Sequence, residues 1–382
     1  MLVDRSICYK LLVLAGNHER VRGLDGLRGI SALSVMLFHL KLLPIGWVGV
    51  EIFFVISGFL ITRILLGEAQ ENTGMRFYLG RFFWRRGLRI FPLYYALVVV
   101  EICWDALVRG RYAFNGALLS QVTYTHNWYR ALHVRSDPTM LGTHFWSLAS
   151  EEQFYLVWPF VVYYFSRRGR FVYLALALVV ISPLLRIGAW RLLPSDQVTW
   201  IVYHAGIFQV GPLAIGAVIA CGFIPRVKRA WLWALCLTIA IATFGAYKNN
   251  LQDSFGFSVE MKAHHQWLWA YSAIDLIAAA LVISCIQDEG IVEFLEWRPL
   301  KKLGQVSYGF YLLHPFVAFA VLALAKQYSI RYGFAAGIAI LLTWILAELS
   351  FVLFESRFLL MKNRYFARAV TKPQLMVVAD TA

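Results

Sequence analysis

Ten runs of 17 to 24 mostly apolar residues follow one another along this chain, at 29–46, 48–66, 90–108, 145–165, 171–189, 200–223, 231–247, 267–286, 305–325 and 333–355. No other feature restricts the fold so strongly. A helix needs about 20 such residues to cross the hydrocarbon core of a bilayer. The sequence therefore predicts an all-α, polytopic transmembrane helical bundle of about ten spans, with Pro44 and Gly46 in a very tight turn between the first two. Composition agrees, with 60% hydrophobic and only 15% charged residues, where a soluble domain carries about 25% charge. The expected layout is a cytoplasmic segment at 1–28, a membrane domain at 29–358 and a cytoplasmic tail at 359–382. The apolar stretch at 6–16 is too short for a signal peptide and lacks a small-residue cleavage site, so the first span is expected to act as the signal.

Loop charge fixes the expected orientation. The formal net charge is +14, which in a soluble protein would point to nucleic acid. Here the Lys and Arg residues sort by loop instead. With the N-terminus inside, 24 fall on the inner side and 11 on the outer side. That is the positive-inside pattern, and it predicts both termini in the cytoplasm, a lipid bilayer as partner and no nucleic acid. The five cysteines, Cys8, Cys103, Cys221, Cys236 and Cys285, form no CxxC or Cys/His cluster. Neither a disulfide framework nor a metal is expected. The longest outer loop, 109–144, holds Tyr124, His126, Asn127 and Trp128. Such loops bind ligands, and Trp128 reads equally well as part of an interfacial aromatic belt.

The segment LDGLRGISALSVMLFH at 24–39 leads into the first apolar run with Arg28 and carries His39 eleven residues further on. Eleven residues of α-helix return to within roughly 20° of the same face after about 16.5 Å of rise. Arg28 and His39 thus share a face, one near the inner mouth and one deep towards the outer half. Ionisable groups at that depth face a bundle interior or a wet cavity.

Further motifs follow in order: VGVEIFFVISGFLIT at 48–62, FFWRRGLRIFPLYY at 82–95, THFWSLASEEQFYLVWP at 143–159 and VSYGFYLLHPF at 306–316. Together these resemble the membrane acyltransferase-3 family, whose members O-acylate carbohydrates and some small molecules. The likeness runs from about residue 22 to 316. It implies transfer of an acyl group, usually acetyl, from acetyl-CoA as co-substrate to an acceptor hydroxyl, in the cytoplasmic (inner) membrane of a bacterium. The family's arginine–histidine motif falls on Arg28 and His39, its paired arginines on Arg86 and Arg89 with Arg85 adjacent, and its glutamates on Glu151 and Glu152. Two departures stand out. Ser150 replaces an apolar residue, and Arg357 replaces the proline of a terminal Glu-x-Pro, so little is expected of Glu355.

The chemistry explains why such residues are needed. Attack by a hydroxyl requires a base, and an imidazole with a pKa near 6.5 suits that task. His39 is the expected base, with an acyl-imidazole on the same ring left open. Glu151 either orients that imidazole, as a triad carboxylate does, or pairs with Arg28 for folding. Glu152 projects about 100° away and, with His144 and Trp128, is expected on the acceptor side. Arginine forks suit the phosphates of CoA, which favours Arg89, at the membrane edge, and Arg86, leaving Arg85 between donor and anionic lipid. Asp275 and Glu348 read as buried pairs, and Ser57–Gly58 as a close helix contact. Tyr308 and His314 match the family without a derivable role.

The rival class is a transporter or flippase using Arg28, Glu151 and Asp275 as a path, but the paired halves common in transporters are missing from the sequence. The acceptor stays open among lipopolysaccharide, exopolysaccharide, peptidoglycan-related glycan, lipo-oligosaccharide and macrolide, with an envelope glycan as the default.

Overall fold

A computed structural model describes residues 20–71, 74–109, 116–133, 142–222, 228–248, 261 and 263–361. Among these residues every regular element is helical. In chain order they are α1 (Leu24–His39), α2 (Val48–Gln70), α3 (Met75–Arg109), α4 (Gly116–Val122), α5 (His126–Leu132), α6 (Phe145–Ser166), α7 (Phe171–Leu192) and α8 (Val198–His204). Then come α9 (Val210–Ala220), α10 (Ala230–Lys248), α11 (Ala270–Ile286), α12 (Ile291–Leu295), α13 (Arg298–Gln305), α14 (Ser307–Gln327) and α15 (Tyr332–Ser350).

Each of the ten apolar runs lies on a helix or a broken pair of helices. Five described stretches are long and apolar enough to cross a membrane: Pro44–Gln70, Met75–Leu107, Phe171–Leu192, Ser307–Gln327 and Tyr332–Met361. Helix α8 and the 206–220 segment pass the same test only when taken together, and they are bent by 63° at their break. Among the other runs, those on α1, α6 and α11 fall short by length or composition. Helices α1 and α11 have 16 and 17 residues, and α6 carries Glu151, Glu152 and Gln153 in its second turn. The chain is a multi-pass membrane protein on this evidence.

Helix packing is built on backbone contact. A methyl group added at Gly58 of α2 would lie 2.0 Å from the Leu213 carbonyl oxygen, and one at Gly216 of α9 would lie 2.2 Å from that of Val55. Helices α2 and α9 therefore cross with no room for a Cβ, which in a lipid-embedded bundle maximises packing where hydrophobic segregation gives little drive. Gly29 and Gly304 do the same for α1 and α13, with the added carbon 2.4 Å from the Leu300 oxygen and 1.6 Å from the Asp25 oxygen. At the same end, the Gly23 N–H donates to Glu296 at 2.8 Å, and Lys301 pairs with Glu296. The start of α1, which carries Arg28, is thereby clamped.

One buried charge group lies away from these contacts. Glu51 of α2, Asp275 of α11 and Arg186 of α7 are each at most 2% exposed. Arg186 reaches Ser182 and the Leu268 carbonyl, both at 3.3 Å, and also Ser272. Asp275 is thus part of a buried charge group, as its place in the sequence led one to expect.

Candidate active site

Two cavities open inside the bundle, and they share two lining residues, Val50 and Tyr311. The first takes in about 1000 Å³ of empty space, part of it open to solvent, and is lined by Arg28, Arg86, Arg89, Glu151, Ser57, Ser307 and Tyr308 among apolar residues, most of them from α2. The second encloses about 630 Å³ and is lined by His39, His144, His204, Arg130, Trp146, Trp200 and Tyr203. Arg28 and His39 sit at opposite ends of α1, one in each chamber. The shared helical face read from the sequence therefore runs from the first cavity to the second.

In the first cavity, the short side chain of Ser57 donates to Glu151 Oε1 at 2.6 Å. Its Oγ is also 2.7 Å from the Tyr155 hydroxyl, which must then be the donor to Ser57. The Arg86 guanidinium lies over the Tyr155 ring at 4.0 Å. Cation–π contact of this kind holds an arginine without consuming its fork of donors. Glu151 and Glu152 both lie within electrostatic reach of Arg86, and Glu355 within reach of Arg89. Three arginines against one lining carboxylate leave the chamber positive, suited to a polyanion of phosphates.

In the second cavity, His39 closes α1 with its ring exposed to the chamber. It contacts the buried His314 ring with centroids 5.0 Å apart, and His314 in turn lies 5.4 Å from His144. Tyr311 sits at the junction. Its hydroxyl is 2.6 Å from Ser147 Oγ and 3.3 Å from the His144 carbonyl. Around the far wall, Arg130 lies over Trp200 at 4.9 Å, the Trp200 indole donates to the Arg130 carbonyl at 2.5 Å, and Trp146 packs on Tyr203 and His204.

The expected site residues thus divide. His39 and His144 line one chamber, while Arg28, Arg86, Arg89 and Glu151 line the other. Glu151 and His39 are not brought together: the carboxylate is held by Ser57 among the arginines. Arg85 instead donates to Glu68 at 2.9 Å, and Arg81 bridges the same Glu68 and Glu71. Trp128 donates to Gln153 at 3.2 Å, and Gln153 also donates to Asn127 and to the Tyr124 carbonyl at 2.8 Å. The loop aromatics are stapled to α6 rather than facing either chamber, and neither Trp128 nor Glu152 lines these two cavities.

Sequence reasoning missed several residues. Ser57 was assigned to packing, yet it is Gly58 that makes the close contact while Ser57 holds Glu151. Glu355 was discounted, yet it is buried in a π-helical turn, Phe351–Glu355, where Ser350 donates to it at 3.0 Å. Such turns recur at functional sites. Arg130, Trp200 and His204 have no local signal, because they join His39 around the second chamber only when α5, α8 and α1, far apart in the chain, come together.

The sequence profile of the acyltransferase domain family matches residues 21–348. YrhL of Bacillus subtilis is 29% identical over 383 residues, covering 93% of this chain and 57% of that protein. The peptidoglycan O-acetyltransferase OatA of Listeria monocytogenes is 28% identical over 366 residues, covering 89% of this chain and 56% of OatA. The O-acetyltransferase OatA of Staphylococcus aureus is 26% identical over 396 residues, covering 93% and 61%. The chain therefore spans less than two thirds of the length of these relatives. No solved structure matches it. With the profile covering most of the described bundle, both chambers included, the chain belongs to the acyltransferase-3 family.

Proposed function

We infer that this protein is an O-acetyltransferase that moves an acetyl group from cytosolic acetyl-CoA to a hydroxyl of a cell-envelope glycan, in a bacterial cytoplasmic membrane spanned ten times with both ends inside. The observation that carries this reading is the pair of chambers meeting at Val50 and Tyr311, arginines in one and His39 in the other. In this reading Arg86 and Arg89 hold the CoA phosphates, Arg28 guides the chain inward, and the pantetheine arm lies along the apolar wall of α2. The thioester reaches the junction. The glycan enters the second chamber, where Arg130, Trp200 and His144 meet it. Peptidoglycan is the first acceptor to test, since the Listeria OatA carries that substrate in its name.

The reaction then follows from proton and electron bookkeeping. The glycan oxygen attacks the thioester carbonyl as His39 takes its proton, and the Tyr311 hydroxyl donates to the carbonyl oxygen as charge develops on it. The C–S bond breaks, and the proton on His39 passes to the departing CoA thiolate. A positioned base of this kind contributes about 10²- to 10⁴-fold. Membranes containing the protein, given acetyl-CoA labelled in the acetyl group and cell-wall glycan, are expected to form a base-labile labelled ester. Label taken up without ester would support transport instead, and no label in any glycan fraction would defeat the proposal.

A further inference from the structure

A buried acceptor atom sits against the reacting centre with no role yet. His314 lies on α14 just before Pro315 and is 0% exposed. Its Nδ1 is 2.6 Å from the Tyr311 carbonyl oxygen. A carbonyl oxygen only accepts, so Nδ1 carries the proton and Nε2 offers a lone pair. That Nε2 is buried without a hydrogen-bond partner among the described residues. Leaving a buried acceptor unpaired is costly. The His314 ring nevertheless faces the one ring whose orientation decides the reaction, with centroids 5.0 Å apart and planes tilted by 52°. This separation suits two imidazoles joined by one N–H···N bond once the His39 ring turns towards Nε2. Catalytic hydrogen bonds often tighten only when substrate is bound.

We propose that His314 is the positioning residue of His39, its Nε2 accepting the His39 N–H so that the other His39 nitrogen turns its lone pair to the incoming hydroxyl. The assignment rests on His39 as the base. It fills the place that a carboxylate holds in a triad, and Glu151 does not fill that place because Ser57 holds it in the other chamber. During transfer the glycan O–C bond forms, the glycan proton moves to the lone-pair nitrogen of His39, the C–S bond breaks, and that proton leaves with the thiolate. His314 keeps its Nδ1 proton throughout. It sets a tautomer and a ring angle and takes no proton from the glycan. A neutral imidazole does this without adding a second buried charge to a bundle where each one is costly.

Two substitutions separate this role from a structural one. His314→Gln places an acceptor oxygen near the Nε2 position and gives up the bond to Tyr311. His314→Asn keeps a donor near the Nδ1 position and has no atom where Nε2 was. Initial rates of ester formation are measured with acetyl-CoA and cell-wall glycan, alone and in a His39→Ala background. The expected result is a kcat lowered at least about tenfold in Asn with KM for both substrates nearly unchanged. Gln should recover most of the rate, and neither change should lower the residual rate of His39→Ala, because residues acting as a unit are non-additive. The reverse order, equal losses in Gln and Asn, or a further loss in the His39→Ala background would overturn the proposal. Full activity of His39→Ala alone would instead remove the base assignment beneath it.

Discussion

At the scale of the residue, the account depends on a division of labour between one imidazole and a group of guanidinium ions. His39→Ala is expected to fold and insert normally while kcat for ester formation falls by about 10²- to 10⁴-fold. Wild-type turnover in that variant would remove the assignment. Arg89→Glu is expected to raise the KM for acetyl-CoA at least about tenfold and leave the glycan KM within about twofold, since it reverses a charge in the first chamber only. Arg85→Glu provides the contrast. Its guanidinium is engaged with Glu68, so its substitution should disturb stability more than donor KM. The sequence revealed much at this scale. His39 and Glu151 stand out as ionisable residues inside apolar runs, and Arg28, Arg86 and Arg89 as arginines at or just before the start of two of them. The partners of those residues were hidden, because Ser57–Glu151 and His39–His314 join segments far apart in the chain. Helix periodicity orders residues along one helix and says nothing about which helix lies opposite.

At the scale of the element, α2 does three jobs at once, and each can be broken separately. Its Gly58 meets α9 backbone to backbone, and Gly58→Leu should destabilise the bundle by about 1–3 kcal/mol through overpacking, read as a lower melting temperature in detergent. Val50 of the same helix stands between the two chambers. Val50→Trp should block the junction and reduce kcat at least about tenfold while acetyl-CoA still binds. Unchanged turnover would mean that the acetyl group takes another path. Glu51 belongs to the buried group with Asp275 and Arg186. Arg186→Leu leaves two buried carboxylates facing each other, and breaking a buried pair in this way costs about 3–5 kcal/mol, seen as poor accumulation in the membrane. Glu51→Gln combined with it should restore part of the loss. The helices themselves were legible because apolar length marks them. The break between α8 and α9, by contrast, was read as one continuous run at 200–223, since the residues on either side are equally apolar.

At the scale of the whole molecule, the two chambers share Val50 and Tyr311 as lining residues, and the proposal makes that junction the place where donor and acceptor meet. Loop charge assigns the sides in the proposal, with the start of α1 and its arginines inward. Helix α5, within the 109–144 segment, places Arg130 on the wall of the second chamber, while Trp128 donates to Gln153 of α6. The most direct measurement uses sealed vesicles of known orientation. Labelled acetyl-CoA is confined to the face that was cytosolic, and glycan acceptor to the other. The account predicts acetyl ester on the glycan, at a rate lost in both His39→Ala and Val50→Trp. Ester formed only when donor and acceptor share one face would contradict it.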